Sequence, residues 1–171
     1  MMFGKLNMDN VRKLAHYMST ESPADLEQRM DLHIPTPQSM SDKLKLFPVE
    51  DVLRESLEAY DKLTFPVYEQ ADVSIVIPVY NQFGFTYNCL RAILQNTQGV
   101  SYEVIIGDDG SKDYTRELEK VTENVQVLHH KKNLGFLRNC NAAAAKARGR
   151  YVLFLNNDTQ VQPDWLEPMV S

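Results

Sequence analysis

The chain has 171 residues, 43% of them hydrophobic, and a net charge of −5. That length and apolar content suit one packed domain with an appendage, and the acidic balance argues against general nucleic-acid binding. No apolar run is long enough to span a bilayer, and the opening MMFGKLNMDNVRK lacks the apolar core of a signal peptide. Cys89 and Cys140 show no CxxC spacing and no histidine at a metal-finger interval, so they read as reduced and buried, which suits a cytoplasmic chain. Charge is unevenly spread. Between Val125 and Asn157 there are six cations and no acid. Lys131, Lys132 and Arg138 sit beside a predicted strand end, where they serve either an anionic ligand or a solvated face. For Lys146, Arg148 and Arg150 the solvated face is preferred.

In chain order, residues 1–70 read as a helical segment distinct from the rest of the chain. Val11, Leu14 and Ala15 have helical spacing. Ser22-Pro23 with Asp25 predicts a capped helix running to about Leu32. Pro35 and Pro37 mark a connector. Pro48 opens a further helix with Val52, Leu53, Leu57 and Tyr60 on one face, which Phe65-Pro66 ends.

From Ala71, strands and helices alternate. Strands are predicted at 73–77, 102–106, 125–128 and 151–155, the last read as a short buried strand. Helices are predicted at 86–95, at 113–121 with Ser111 as cap, and at 135–147 closed by Gly149. Another helix starts near Pro163. Such a pattern predicts an α/β, Rossmann-like fold with a mostly parallel sheet sandwiched by helices. Right-handed crossovers bring every strand's C-terminal end to one edge of the sheet, where ligands of such folds bind. The polar clusters fall there: Tyr80-Asn81, Asp108-Asp109, His129 to Asn133, and Asn156 to Asp158. One crevice with carboxylates, amides, an aromatic ring and nearby cations suits a nucleotide diphosphate carried with a divalent metal. Each cluster also has a plainer reading, as a turn or as a helix cap. No GxGxxG follows the first strand and no GxxxxGK[ST] occurs, so a glycine-rich turn does not hold the pyrophosphate; a metal on Asp158 would neutralise it instead.

SIVIPVYN at 74–81, EVIIGDDGSKD at 103–113, NLGF at 133–136 with Cys140-Asn141, LNNDT at 155–159 and PDW at 163–165 resemble the family 2 glycosyltransferases, inverting enzymes with the GT-A fold. The resemblance runs from about Asp72 to Ser171. It implies a nucleotide site made of Pro78, Tyr80, Asn81, Asp108, Asp109, Asn141 and Asn157. Tyr80 would lie against the base, and Asp109 would accept hydrogen bonds from base or ribose. Asp108 would join it or hold the loop. Asp158 would ligate Mn²⁺ or Mg²⁺ bridging the diphosphate, with Asn157 lining the same turn. The motif is Asn-Asn-Asp rather than Asp-x-Asp, so one carboxylate replaces two, which means either weaker metal affinity or a site that the diphosphate itself completes. The family's acceptor half and its general base follow the metal motif by many tens of residues, so the base is expected beyond Ser171.

The implied reaction is inverting, metal-assisted transfer of a sugar from a UDP- or dTDP-sugar to a hydroxyl of a growing polysaccharide, a lipid-linked saccharide or a protein. The implied organisation is a helical segment at 1–70 and a nucleotide-sugar-binding GT-A half-domain at 71–171, cytoplasmic and able to work at the inner face of the membrane. Peripheral membrane association and homo-oligomers stay open. The alternative is a truncated, catalytically inactive nucleotide-binding module, or a scaffold for assembly. A sugar nucleotidyltransferase is disfavoured, because its glycine-rich first turn is absent.

Overall fold

The structure, a computed structural model, describes residues 46–48 and 56–170. The helices expected before residue 45, and the stretch 49–55, lie outside the described residues. The helix expected from Pro48 into the sixties is corrected where it can be seen. Leu57–Ala59 form one 3-10 turn, and Leu63–Thr64 form a short strand, β1. β1 pairs in parallel with β4, Thr122–Glu123. Leu57, Tyr60, Leu63 and Phe65 are buried in the same core as the main sheet. Their apolar spacing therefore reflects packing against the sheet and not a helical period. Tyr60 meets Phe83 and Tyr87 edge-on, with centroids 5.0 and 4.9 Å away.

The main sheet has four parallel strands in the order β5-β3-β2-β6. They are β2 (Val73–Val79), β3 (Tyr102–Asp108), β5 (Gln126–His129) and β6 (Tyr151–Phe154). Register runs from Val73 opposite Tyr102 to Val79 opposite Asp108, with Val73 also opposite Tyr151. Helix α1 spans Phe83–Asn96, α2 spans Phe136–Ala144, and a short α3 covers Glu167–Val170. A 3-10 stretch at Tyr114–Lys120 stands where an α-helix was expected. Its N-cap is Asp113, whose carboxylate accepts from Thr115 N at 3.1 Å, and not Ser111.

β2 and β3 are covered on both faces, which is why they read as unbroken apolar runs. Ile75, Ile77 and Val79 join the core that includes Leu90 and Ile93 of α1, while Val76 and Ile105 pack with Ala143 of α2. Burying Leu90 and Ile93 fully stabilises the fold by roughly 1.5–3 kcal/mol each. β6 departs from expectation. Tyr151, Val152 and Phe154 are 40%, 45% and 52% exposed. Among the described residues β6 pairs with one strand, β2, and the second-face helix α2 packs over β2 and β3. An apolar run of four or five residues does not distinguish such an edge strand from a central one.

Two glycines are set by close approach. A Cβ on Gly107 would collide with Asn139 Oδ1, and one on Gly149 would lie 2.6 Å from Ser74 N. Among the described residues no helix is long and apolar enough to cross a membrane.

Candidate nucleotide-sugar site

In a sheet ordered β5-β3-β2-β6, the chain builds outward from β2 through β3 to β5, then returns to the far side of β2. The reversal lies between β2 and β6. Crossovers there leave on opposite faces, so a crevice opens outside the two strand ends. Val76 is opposite Phe154 in the register. Tyr80 and Asp158 each come four residues later, on the two loops that flank the crevice.

The loop after β2 is stitched to the loop after β3. Asn81 and Gln82 both adopt left-handed backbone, φ 55° and 62°. Asparagine tolerates this better than most residues. Asn81 N donates to Ser111 Oγ at 2.7 Å, and Asn81 Oδ1 accepts from Lys112 N at 2.7 Å. Phe83 N donates to Asp113 Oδ2 at 2.9 Å, so a carboxylate from the next loop caps the start of α1. Asn81 is thus a bridge between loops. Pro78 is buried within β2. Tyr80 is left projecting, 48% exposed.

The two aspartates after β3 face inward. Asp108 is 1% exposed: Oδ1 accepts from Ser111 N at 2.9 Å, and Oδ2 lies 2.7 Å from His129 Nδ1. His129 Nε2 reaches Glu119 Oε1 at 2.9 Å. Burial alone would lower the His129 pKa, but hydrogen bonds to Asp108 and Glu119, with their charges, outweigh it and raise it. Asp109 is 4% exposed and accepts from Leu134 N at 2.6 Å and Gly135 N at 3.0 Å. Both carboxylates therefore order the loops around the crevice: Asp108 the turn to Ser111, Asp109 the Asn133–Gly135 entry to α2. Asn139, 2% exposed, completes this side by donating to Gly107 O at 2.7 Å. Asn141 is exposed on α2.

The loop after β6 lies along α1. Asn157 Nδ2 donates to Thr86 Oγ1 at 3.0 Å, and Cys89 Sγ lies 3.7 Å from Asn156 O. Asn96 Nδ2 donates to Val161 O at 2.9 Å. Thr86, Cys89 and Asn96 are spaced by three and seven residues, so they share one helix face. Neither Thr86 nor Asn96 is among the residues expected at the site. A polar residue recurring at helical spacing beside the apolar face of this helix is the signal that could have found them. Asp158 stays exposed. Burial, and then the Asp158 charge, push the Cys89 thiol up to about 12, so the thiol is neutral and serves as packing beneath the turn.

Among the described residues no group of three His, Cys, Asp or Glu could hold a metal ion. A closed protein cage is therefore a poor fit. A single exposed carboxylate fits a Mg²⁺- or Mn²⁺-type ion that keeps water and is shared with a diphosphate. Of the basic segment, Arg148 is paired with Glu103, with its Nη2 2.8 Å from Oε2, and Arg150 lies over the Tyr151 ring at 5.1 Å. Lys131 and Lys132 are exposed in the loop after β5. A cleft of about 480 Å³, lined in part by Tyr68, Tyr102 and Lys146, lies at the starts of β3 and β5, away from Tyr80 and Asp158. The reversal of strand order at the C-terminal ends outweighs its size as a guide to the site.

The parallel sheet, its helices on both faces and its reversal beside the central strand define a Rossmann-like α/β protein. S. aureus TarS, residues 1–349, has the same fold, with a TM-score of 0.51 over 57% of this chain and 31% of that one at 24% identity. A second structure of TarS 1–349, in complex with UDP, matches equally. The fold is that of the GT-A glycosyltransferases. The model of glycosyl transferase family 2 matches residues 74–171, and the chain belongs to that family. Glycosyltransferase AglE of Haloferax volcanii is 33% identical over 104 residues, 58% of this chain and 34% of AglE. TuaG of Bacillus subtilis, provisionally described as a teichuronic acid biosynthesis glycosyltransferase, is 34% identical over 103 residues, 58% of this chain and 40% of TuaG. The chain thus spans about a third to two fifths of these relatives.

Proposed function

We propose that residues 71–171, with Leu57, Tyr60, Leu63 and Phe65 packed into their core, form the donor-binding half of an inverting, metal-assisted glycosyltransferase that takes a UDP- or dTDP-sugar. The observation that carries this reading is the pair of exposed side chains, Tyr80 and Asp158, on the two loops flanking the β2–β6 reversal. Tyr80 offers an aromatic face to a base. Asp158 would hold a divalent ion on the diphosphate, and that ion, when bound, supplies the charge that stabilises the leaving group. Asp108, Asp109 and Asn81 act one layer behind, fixing the loops that present these groups. Asp109 reaches base or ribose only if Leu134 and Gly135 release it. Asn157 lines the metal turn, while Pro78 is buried in β2 and Asn141 is exposed on α2, and neither is given a direct contact to the donor. The acceptor would be a hydroxyl of a polysaccharide, a lipid-linked saccharide or a protein, at the cytoplasmic face of a membrane. None of the described residues is assigned as its general base.

Calorimetric titration of UDP and dTDP, with and without Mn²⁺, into wild type and Asp158→Ala tests the reading. Metal-dependent binding lost in the variant is the expected result. Absence of binding by a folded wild-type chain would turn the reading toward a scaffold.

A further inference from the structure

Gln160 lies two residues past Asp158, and its side-chain amide grips one distant residue at both ends. Phe47 N donates to Gln160 Oε1 at 2.6 Å, and Gln160 Nε2 donates to Phe47 O at 3.0 Å. The two residues are 113 positions apart. Helix α1 holds Phe47 from the other side. Asn88 Nδ2 donates to Phe47 O at 3.2 Å, and the Arg91 guanidinium sits 3.9 Å above the Phe47 ring.

Asn88 shows that this anchorage has a cost. It is 1% exposed, and among the described residues its Oδ1 has no hydrogen-bond partner. A buried amide is expensive unless its bonds matter. Those of Asn88 go to Phe47 O and, at 3.5 Å, to Pro48 O. Phe47 therefore wedges between α1 and the loop after β6. On that loop Asn157 is tied to α1 through Thr86, on the N-terminal side of Asp158, and Gln160 is tied through Phe47 on its C-terminal side. The turn carrying Asp158 is pinned at both ends, and one of the pins comes from far upstream.

We propose that Phe47 and Gln160 are positioning residues for Asp158: their contact fixes the turn, and so sets the affinity for a divalent ion shared with a nucleoside diphosphate. The ligand part rests on the donor-site reading above; the clamp itself does not. Linkage makes the coupling reciprocal, so a bound metal–diphosphate also tightens the hold on Phe47.

The test uses the full chain with Phe47→Ala, Gln160→Ala and Phe47→Tyr. Two quantities are read: hydrogen exchange at the Thr159 amide, which bonds to Asn156 O within the turn at 3.2 Å, and Kd for UDP with and without Mn²⁺. Gln160→Ala removes both bonds to the Phe47 backbone and Phe47→Ala removes the ring that Arg91 holds in place, so both should exchange faster at Thr159. Their Mn²⁺–UDP affinity should fall about tenfold, the lower range for residues that orient a metal ligand, while the weak metal-free affinity is unchanged. Phe47→Tyr, which keeps the ring beneath Arg91, should restore both. Unchanged exchange in folded alanine variants overturns the clamp. Faster exchange with undiminished Mn²⁺–UDP binding overturns the positioning role. If wild type binds no Mn²⁺–UDP, the donor-site reading and the ligand part fall together, and the exchange data alone decide the clamp.

Discussion

Asn157 Nδ2 meets Thr86 Oγ1 at 3.0 Å across 71 residues of sequence. Through this bond the loop after the edge strand β6 is referred to helix α1, which packs on the central strands. A polar group on a buried helix face thereby sets the height of the turn above the crevice. Thr86→Val keeps the shape and removes the acceptor. Loss of this bond, together with the hydroxyl's own bond to Gln82 O at 3.4 Å, should cost about 1–3 kcal/mol of stability, measured by urea denaturation. Metal-dependent nucleotide binding should weaken more than this stability loss alone would cause.

His129 joins Asp108 to Glu119, and its pKa is raised on balance by those two carboxylates against the opposing effect of burial. A raised folded-state value means that the stabilisation is complete below the unfolded value, near 6.5, and is lost as pH rises through the folded one. The melting temperature of wild type should therefore exceed that of His129→Gln most at pH 6, and the gap should narrow toward pH 8.5. A gap that widens with pH would contradict the assignment.

Gly107 has no room for a side chain. A methyl there would collide with Asn139 Oδ1 and come within 3.2 Å of the Ala143 Cβ. Gly107→Ala should destabilise by about 1–3 kcal/mol, the usual range for overpacking, and should loosen the entry to α2. Chemical denaturation gives the first quantity, and exchange at the Asn139 amide, bonded to Gly135 O, gives the second.

Glu103 gathers three partners at the N-terminal edge of the sheet: Ser74 Oγ at 2.7 Å, Arg148 N at 2.7 Å and the Arg148 guanidinium. Burial opposes ionisation of the carboxyl, but these bonds outweigh it and lower its pKa. Its contribution is present above the ordinary carboxylate value and is lost as pH falls through the lowered one. Glu103→Ala leaves the Ser74 hydroxyl, 0% exposed, without its acceptor. It should cost about 1–3 kcal/mol at pH 7, and less once the pH falls through the lowered carboxyl value. Nucleotide binding at the other end of the sheet should be unchanged in the folded fraction.

The sequence made the strands legible because each is an apolar run ending in a polar cluster, and their shared edge followed from handedness alone. The placement of Tyr80 and Asp158 on the loops at that edge was legible for the same reason. The rest depended on contacts between distant residues. The acids at 108 and 109 look alike in sequence, yet one turns to His129 and the other to the amides of Leu134 and Gly135. The apolar residues at 57–65 carried no sign of whether they belonged to a helix or to the sheet's core. Phe47 looked like part of a connector, because nothing in its neighbours points to Gln160.

The parallel pairing of β2 with β6 has a consequence for how the protein is made. Val73 finds Tyr102 29 positions on, but Tyr151 only after 78. Parallel pairing at that separation forms slowly, since the intervening chain must close a long loop first. On a ribosome, β2 and β3 can join while one flank of β2 still waits for Phe154 to emerge. The loops that carry Tyr80 and Asp158 thus come together late, and a nascent chain displays an unsatisfied strand flank until then, the interval in which a chaperone would matter most.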